Sequence, residues 1–271
     1  MVAILDGPAA GPEPRMPLLP LPALSDNYIW TLAGDGDGDG TIVVDPGEAA
    51  PVLATLASGP PPAAVLLTHH HNDHIGGAAA LLARWPGLPV FAPEDDRIDL
   101  PCTRVRDGGR VDIAGWGFEV LAVPGHTVSH IAFSGHGVLF CGDTLFSLGC
   151  GRLFEGTPAQ MLASLERLAT LPASTQVCCG HEYTLANAAF ARVVDPDNPA
   201  LRRRTEDATA MRQSGQPSLP STLAEEIAAN PFLRVDTDAI RAAVAGRLGR
   251  QPHDQIETFA ELRRWKDGFR A

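Results

Sequence analysis

The feature that most constrains this chain is the segment THHHNDH at positions 68–74, which directly follows an apolar run at 64–67. A short aliphatic run of this kind predicts a buried strand, so the segment after it predicts a strand-to-helix turn. Four potential metal ligands lie in this turn: His69, His71, Asp73 and His74. Because histidine and carboxylate are the usual ligands of zinc, iron and manganese, the turn predicts a metal site.

Three more candidate ligands stand near the ends of predicted strands farther along the chain: His126 in PGHT, Asp143 in CGDT and His181 in CGHE. A single histidine near a turn is more often structural than functional, so each of these alone would be weak support. Their occurrence together with the first cluster favours ligation. For His130 the sequence is compatible with a structural role or with a hydrogen bond that supports the nearby ligand His126. The remaining histidines are interpreted as structural: His70, His136 and His253.

The distribution of apolar residues predicts two units. Strand-like runs and helical patterns alternate over residues 16–182, which favours a layered α/β architecture. The predicted strands are 28–32, 41–44, 64–67, 118–123, 131–133 and 138–141, and the predicted helices are 49–58, 77–85 and 159–168. After Gly180 the strand signals stop, and helical patterns at 183–194, 200–212, 221–230, 236–248 and 254–269 predict a smaller all-α domain over 183–271. Residues 1–15 are rich in Pro, Gly and Ala and are expected to form a disordered N-terminal extension.

Charge and cysteine content narrow the choice of partners. The chain has 21 basic and 32 acidic residues and a net charge of -11, which argues against a nucleic-acid partner. An anionic ligand would need a local cationic patch. The five cysteines lack the spacing of a disulfide scaffold, and no apolar run approaches the roughly 20 residues that span a bilayer. We therefore expect a cytoplasmic protein with no membrane partner, and a monomer by default.

The pattern H-x-H-x-D-H, followed by a separated His, Asp and His, resembles the metallo-β-lactamase superfamily. A narrower resemblance covers nearly the whole chain and is to glyoxalase II, the hydroxyacylglutathione hydrolases. The segments that carry it are SDNYIW, THHHNDHIGG, PGHT, CGDTLFSLGCGRLFEGT, CGHEYT, NPFLR and RRWKD. The resemblance implies an αββα sandwich over about residues 16–182 and a smaller all-α C-terminal domain that binds substrate.

The resemblance also implies a role for each candidate ligand. His69, His71 and His126 would hold one divalent ion, Asp73, His74 and His181 a second, and Asp143 would bridge the two. Zinc is the expected metal, with iron and manganese as alternatives. Asp73 and Asp143 are the implied catalytic residues. Hydroxide shared by the two ions would attack the thioester of S-(2-hydroxyacyl)glutathione, S-D-lactoylglutathione in particular, to give glutathione and the 2-hydroxy acid in the second step of methylglyoxal detoxification.

Five residues are implied to bind the glutathione part of the substrate: Arg152, Phe154, Tyr183, Arg263 and Lys266. Arg263 and Lys266 are three positions apart, so they share a helix face and can converge on one carboxylate. The alternative is that these two cations only offset the dipole at the end of a helix. Phe154 stands where some relatives have Tyr, and this difference removes one expected hydroxyl.

Three other functions are compatible with parts of the pattern. A persulfide dioxygenase of the same superfamily would use a single iron and act on glutathione persulfide, but it resembles this chain less in the helical tail. A secreted metallo-β-lactamase is disfavoured because the ligand set lacks the Cys common in that class and no signal peptide is visible. A non-catalytic metal-binding relative is disfavoured because none of the expected ligands is missing.

Overall fold

The first of two six-stranded sheets carries the THHHNDH turn. The computed structural model describes residues 18–34 and 40–270, so the predicted extension at 1–15 lies outside the described residues. The sheet runs in the order β1 to β6, antiparallel from β1 to β3 and parallel from β3 to β6. Its strands are β1 (Leu18–Ala23), β2 (Asn27–Leu32), β3 (Ile42–Val44), β4 (Ala64–Leu66), β5 (Val90–Pro93) and β6 (Thr103–Val105).

The second sheet supplies the separated His, Asp and His. Its strand order is β14-β13-β10-β9-β8-β7, and only the β10–β13 pair is parallel. Its strands are β7 (Arg110–Ile113), β8 (Trp116–Ala122), β9 (Ile131–Gly135), β10 (Val138–Gly142), β13 (Gln176–Cys179) and β14 (Ser221–Thr222). A small separate hairpin pairs β11 (Leu145–Phe146) with β12 (Gly149–Cys150).

Alternation along the strands produces the layers. Leu66 packs between the two sheets, whereas its neighbour Val65 packs on the outer face of the first sheet, because successive side chains of a strand point to opposite faces. Helices α1 (Ala50–Thr55) and α3 (Ala78–Arg84) cover that outer face, and α4 (Pro158–Ala169) contributes to the larger core. The short helix α2 (Asn72–Ile75) carries Asp73 and His74. The predicted αββα sandwich is therefore confirmed.

The C-terminal part is helical apart from one pair of residues. Its elements are α5 (Thr184–Val194), α6 (Pro199–Gln213), α7 (Leu223–Ala229), a 3-10 turn (Pro231–Leu233), α8 (Asp238–Leu248) and α9 (Gln255–Gly268). The expectation that strands end at Gly180 is wrong at Ser221–Thr222, which pair with β13 as β14. The predicted helix at 221–230 therefore begins two residues later, where the Thr222 side chain accepts from the Glu225 N–H in a capping box.

Buried side chains of the helical part hold the β11–β12 hairpin by its backbone. The Asn230 amide donates to the carbonyl oxygens of Phe146 and Gly149 at 3.0 and 2.9 Å. The Glu226 carboxylate accepts from the Leu148 N–H at 2.7 Å. These contacts matter for the site because the hairpin directly follows Asp143 along the chain.

Candidate active site

The seven candidate ligands come together at one edge of the sandwich, just beyond the ends of four strands. His69, His71, Asp73 and His74 follow β4, His126 follows β8, Asp143 follows β10 and His181 follows β13. Because β10 and β13 are parallel neighbours, their carboxyl ends lie at the same edge, which brings Asp143 and His181 together. The first sheet faces this edge with the turn after β4.

The first group of ligand atoms consists of His69, His71 and His126, and these atoms all lie within 4.8 Å of one another. The Nδ1 atom of His71 lies 3.1 Å from Nε2 of His69 and 2.9 Å from Nε2 of His126. Burial, and then the neighbouring His126, lowers the pKa of His71 to about 4. The ring is therefore neutral near pH 7 and has a lone pair available for a metal ion.

The second group consists of Asp73, His74 and His181, again with all ligand atoms within 4.8 Å. Oδ2 of Asp73 lies 3.6 Å from Nε2 of His74 and 3.4 Å from Nε2 of His181. Hydrogen bonding to His181 holds the pKa of the Asp73 carboxyl well below its usual range. The group therefore offers an ionised carboxylate beside two imidazoles.

Asp143 lies between the two groups. Its Oδ2 is 3.4 Å from Nε2 of His126 in the first group and 3.4 Å from Nε2 of His181 in the second, and its Oδ1 is 3.3 Å from Nε2 of His74. Burial would raise the pKa of Asp143, but the surrounding imidazoles, His74 first, outweigh it and hold the pKa well below the usual value. The carboxylate is thus a negative charge placed centrally among the histidines.

Two buried atoms support the presence of ions at this place. Nε2 of His74 and Oδ1 of Asp143 form no hydrogen bond within the described residues, although both are inaccessible to solvent. Buried polar atoms normally form hydrogen bonds. Two neighbouring buried atoms that lack one, and that belong to side chains able to ligate a metal, therefore fit a metal ion. Gly180 keeps the space open, because a Cβ there would lie 2.6 Å from the His74 ring and 2.7 Å from Oδ1 of Asp143.

Asp45 orients the ligand His74 through the ring nitrogen Nδ1, and the sequence analysis did not predict this role. It follows β3 directly, and its carboxylate accepts from the Thr68 N–H and hydroxyl at 2.8 and 2.7 Å and contacts Nδ1 of His74 at 3.0 Å. Asp45, His69 and His74 also form a third compact group of potential ligands. Since three contacts already occupy the Asp45 oxygens, we interpret this carboxylate as a partner of His74 and not as a ligand. His130 is fully buried and accepts from the Asp143 N–H at 3.1 Å.

His70 lies apart from both groups. Its Nδ1 atom is 3.3 Å from Asp95 Oδ2 and its Nε2 atom is 3.7 Å from Glu155 Oε1. Arg97 pairs with both carboxylates. This ionic cluster ties the turn after β4 to the loop that carries Phe154.

A cavity of about 440 Å³ opens beside His126 and Asp143 and contains all five residues predicted to bind substrate. Lys266 is half-buried there, and its Nζ donates to the Ala186 carbonyl oxygen at 3.0 Å. Burial, and then the neighbouring Arg263 and Arg152, lowers the pKa of Lys266 to about 8. Three cationic side chains and one further carboxylate, Asp267, therefore line the same cavity as His126 and Asp143, in a protein whose net charge is negative.

Aromatic side chains line the part of the cavity nearest the ligands. The Tyr183 ring stacks on the His181 ring, with centroids 4.7 Å apart and planes 4° from parallel. The Phe154 ring lies 5.2 Å from the His126 ring and 5.7 Å from the His71 ring, and 62% of the residue is exposed. A large apolar side chain exposed at this place is available for contact with a ligand.

Comparison with known proteins agrees with this geometry. The family model of the metallo-beta-lactamase superfamily matches residues 28–181, and the model of the hydroxyacylglutathione hydrolase C-terminus matches residues 182–269. A hydroxyacylglutathione hydrolase from Xylella fastidiosa (strain M23) is 58% identical over 255 residues, which cover 94% of this chain and 98% of the relative. One from Stenotrophomonas maltophilia (strain R551-3) is 57% identical and covers 94% of this chain and 100% of the relative.

The chain belongs to the hydroxyacylglutathione hydrolase family. The resemblance predicted from the sequence is thereby confirmed.

Solved structures share the fold of this hydroxyacylglutathione hydrolase family member. TTHA1623 in a di-iron-bound form is 32% identical, with a TM-score of 0.53, and covers 60% of this chain and 91% of that protein. ETHE1 from Myxococcus xanthus has a TM-score of 0.62 and covers 94% of this chain and 90% of that protein. Its identity is only 24%, so it shows the fold alone.

The fold and the His/Asp groups together support the binding of divalent metal ions. Membership of the hydroxyacylglutathione hydrolase family implies a small-molecule substrate. Among the described residues, no helix has the length and apolar character needed to cross a membrane.

Proposed function

We propose that this chain hydrolyses the thioester of S-(2-hydroxyacyl)glutathione, with S-D-lactoylglutathione as the reference substrate, to glutathione and the 2-hydroxy acid. The observation that carries the proposal is a single cavity lined both by His126 and Asp143 and by three cations, Arg152, Arg263 and Lys266. The two relatives described above are named for this substrate class. The substrate has a carboxylate at each end of its tripeptide and a thioester on the sulfur of the central cysteine, so it needs both cations and a means to activate a carbonyl.

The residues present fit two metal ions. We assign His69, His71 and His126 to the first, Asp73, His74 and His181 to the second, and Asp143 to both. Zinc is the proposed metal, and iron and manganese suit the same ligands. When bound, such ions lower the pKa of a coordinated water towards neutrality and polarise a carbonyl oxygen.

The chain's own residues then bind and orient the substrate. Arg152, Arg263 and Lys266 supply positive charge for the glutathione carboxylates, which an acidic protein otherwise repels. Tyr183 is held against His181 by stacking, so its hydroxyl is placed to donate to the substrate backbone. Phe154 offers an apolar surface beside His71 and His126.

The two proposed catalytic residues, Asp73 and Asp143, are both carboxylates. Asp73 and Asp143 remain ionised at neutral pH, and each contacts imidazoles of the ligand groups. Departure of the thiolate needs no strong proton donor, since a thiolate is a much better leaving group than an amine.

The proposal divides the chain into two functional parts. Residues 16–182 would form the catalytic part and residues 183–271 the substrate-binding part, which contributes Tyr183, Arg263 and Lys266 to the cavity. The cavity is lined by residues of both. Neither part alone would then be active.

The test is hydrolysis of S-D-lactoylglutathione by the purified protein, before and after chelation and after zinc, iron or manganese is restored. We expect activity that is lost with the metal and regained with it. His71→Ala should be inactive, whereas His253→Ala, which removes an imidazole from an exposed residue outside the site, should keep wild-type activity. Absence of hydrolysis in every metal form, with oxygen consumed on glutathione persulfide, would support the mononuclear-iron alternative instead.

A further inference from the structure

The turn between β1 and β2, together with the first residue of β2, contacts two of the candidate ligands through two consecutive residues, Asp26 and Asn27. Oδ1 of Asp26 lies 2.8 Å from Nδ1 of His181. The Asn27 amide donates to the carbonyl oxygen of Asp73 at 3.2 Å and to its Oδ2 at 3.1 Å. Both ligands belong to the group of Asp73, His74 and His181.

Backbone pairing fixes this contact in place. Asn27 and His181 form an isolated antiparallel bridge. The Tyr28 N–H donates to the Gly180 carbonyl oxygen and the Glu182 N–H to the Asp26 carbonyl oxygen, both at 2.8 Å. The backbone here is therefore joined to the ligand-bearing segment as a short strand pair, which holds Asp26 and Asn27 beside their partners.

The other ligands are oriented by different parts of the protein. Nδ1 of His74 contacts the buried Asp45, and Nδ1 of His126 contacts the Arg152 carbonyl oxygen at 3.0 Å. Within the described residues, no member of the group His69, His71 and His126 forms a hydrogen bond with the β1–β2 turn. Only the second group depends on it.

We infer that Asp26 and Asn27 are positioning residues for the second metal ion and that their two side chains set the affinity of that ion independently of the first. The inference rests on the ligand assignment of the proposed function. A carboxylate on Nδ1 fixes the orientation of the imidazole and makes Nε2 a stronger donor to a metal. Asn27 restrains the Asp73 carboxylate, and its amide nitrogen does so without adding negative charge.

The test is a titration of the metal-free full-length protein with zinc in competition with a chromophoric chelator, which resolves two successive affinities. For Asp26→Ala we expect the second zinc to bind about 10–100-fold more weakly, the usual effect of removing an outer-shell partner, and the first to be unchanged. Asp26→Asn keeps an oxygen that accepts from Nδ1 and should lose less. Asn27→Ala should also weaken only the second zinc.

The matched control is Glu48→Ala. Oε1 of Glu48 accepts from the Leu24 N–H of the same turn at 2.7 Å but contacts no ligand among the described residues, so this variant should bind both ions as the wild type does. Circular dichroism of each metal-free variant reports whether it folds. If Asp26→Ala does not fold, Asp26→Asn alone decides, because a neutral amide is a weaker partner than a carboxylate and the second affinity must still fall.

Three results would overturn the inference. One is equal weakening of both ions in Asp26→Ala, and another is no weakening in Asp26→Ala, Asp26→Asn and Asn27→Ala. The third is weakening of the same size in Glu48→Ala, which would assign the effect to the order of the turn. Failure of the proposed function is separate, because wild-type protein would then bind a single ion or fail to hydrolyse the thioester.

Discussion

The Arg263 guanidinium in the last helix donates a hydrogen bond to the Cys150 carbonyl oxygen at 2.7 Å. It also pairs with the Asp267 carboxylate at 2.9 Å and lies over the Phe232 ring. Arg263 is therefore buried and binds several other parts of the fold. Lys266, one turn away, forms one hydrogen bond to a backbone carbonyl. The fold therefore depends more on Arg263 than on Lys266, although the sequence predicts the two as a pair.

Replacement of Lys266 should affect substrate binding alone, whereas replacement of Arg263 should affect both substrate binding and stability. We expect Lys266→Ala to raise KM about tenfold or more with little change in kcat, because one charge-assisted hydrogen bond of about 1.5–3 kcal/mol is lost. Arg263→Ala should raise KM and also lower the free energy of unfolding by about 1–3 kcal/mol, since the Cys150 carbonyl loses its partner. Steady-state kinetics and urea unfolding measure the two effects. An unchanged KM in both variants would favour the view that these residues only stabilise the helix end.

Lys266 should also give the reaction an alkaline limit. Its pKa is lowered to about 8, so the side chain is cationic below that pH and becomes neutral above it. Binding of a carboxylate needs the cation, hence kcat/KM should fall as the pH rises through about 8. In Lys266→Arg the guanidinium keeps its charge and the decline should move to higher pH. An identical alkaline decline in wild type and Lys266→Arg would assign it to another group.

The contact between Asn230 and the β11–β12 hairpin should contribute to stability. Asn230→Ala leaves the Phe146 and Gly149 carbonyls without their amide partner, which should lower the free energy of unfolding by about 1–3 kcal/mol. Asn230→Asp also removes the donor and adds a charge beside Glu226, whose Oε2 lies 3.1 Å from the amide. We expect the Asp variant to be the less stable of the two by urea unfolding. Wild-type stability in Asn230→Ala would contradict a stabilising role for this contact.

Asp143 should be essential for the metal centre. It contacts both ligand groups, so Asp143→Ala should lower kcat/KM by more than about 100-fold, beyond the range found for outer-shell residues. Metal content measured by elemental analysis should fall as well. Asp112→Ala, which removes an exposed aspartate paired with Arg110, is the control and should keep both properties. Wild-type rate and metal content in Asp143→Ala would exclude the bridging role.

The sequence predicts six of the twelve strands that the structure describes in the two sheets, because these six carry a clear apolar signal. Strands β2 to β4 and β8 to β10 overlap the predicted runs. Strand β1 was missed because Pro20 and Pro22 interrupt it, and proline is tolerated there only because β1 is at a sheet edge. Strands β6 and β7 were missed because they have only three and four residues, of which two in each are polar.

The candidate ligands were predictable because histidines and aspartates are dense at strand ends, but their supporting residues were not. Asp45 stands directly after β3, the same position relative to a strand that Asp143 has, yet a single Asp before Pro-Gly is typical of an ordinary turn. Asp26 reaches His181 across 155 positions. A contact of that kind arises from the packing of two sheets and has no local pattern in the sequence.

The most direct test of the proposed metal centre is the hydrolysis rate of metal-free protein as zinc is added in measured equivalents. If His69, His71 and His126 hold one ion and Asp73, His74 and His181 another, with Asp143 shared, the bound metal should reach two ions per chain and the rate should rise until both sites are filled. Binding that saturates at one ion per chain, with no hydrolysis of S-D-lactoylglutathione, would contradict the proposed centre.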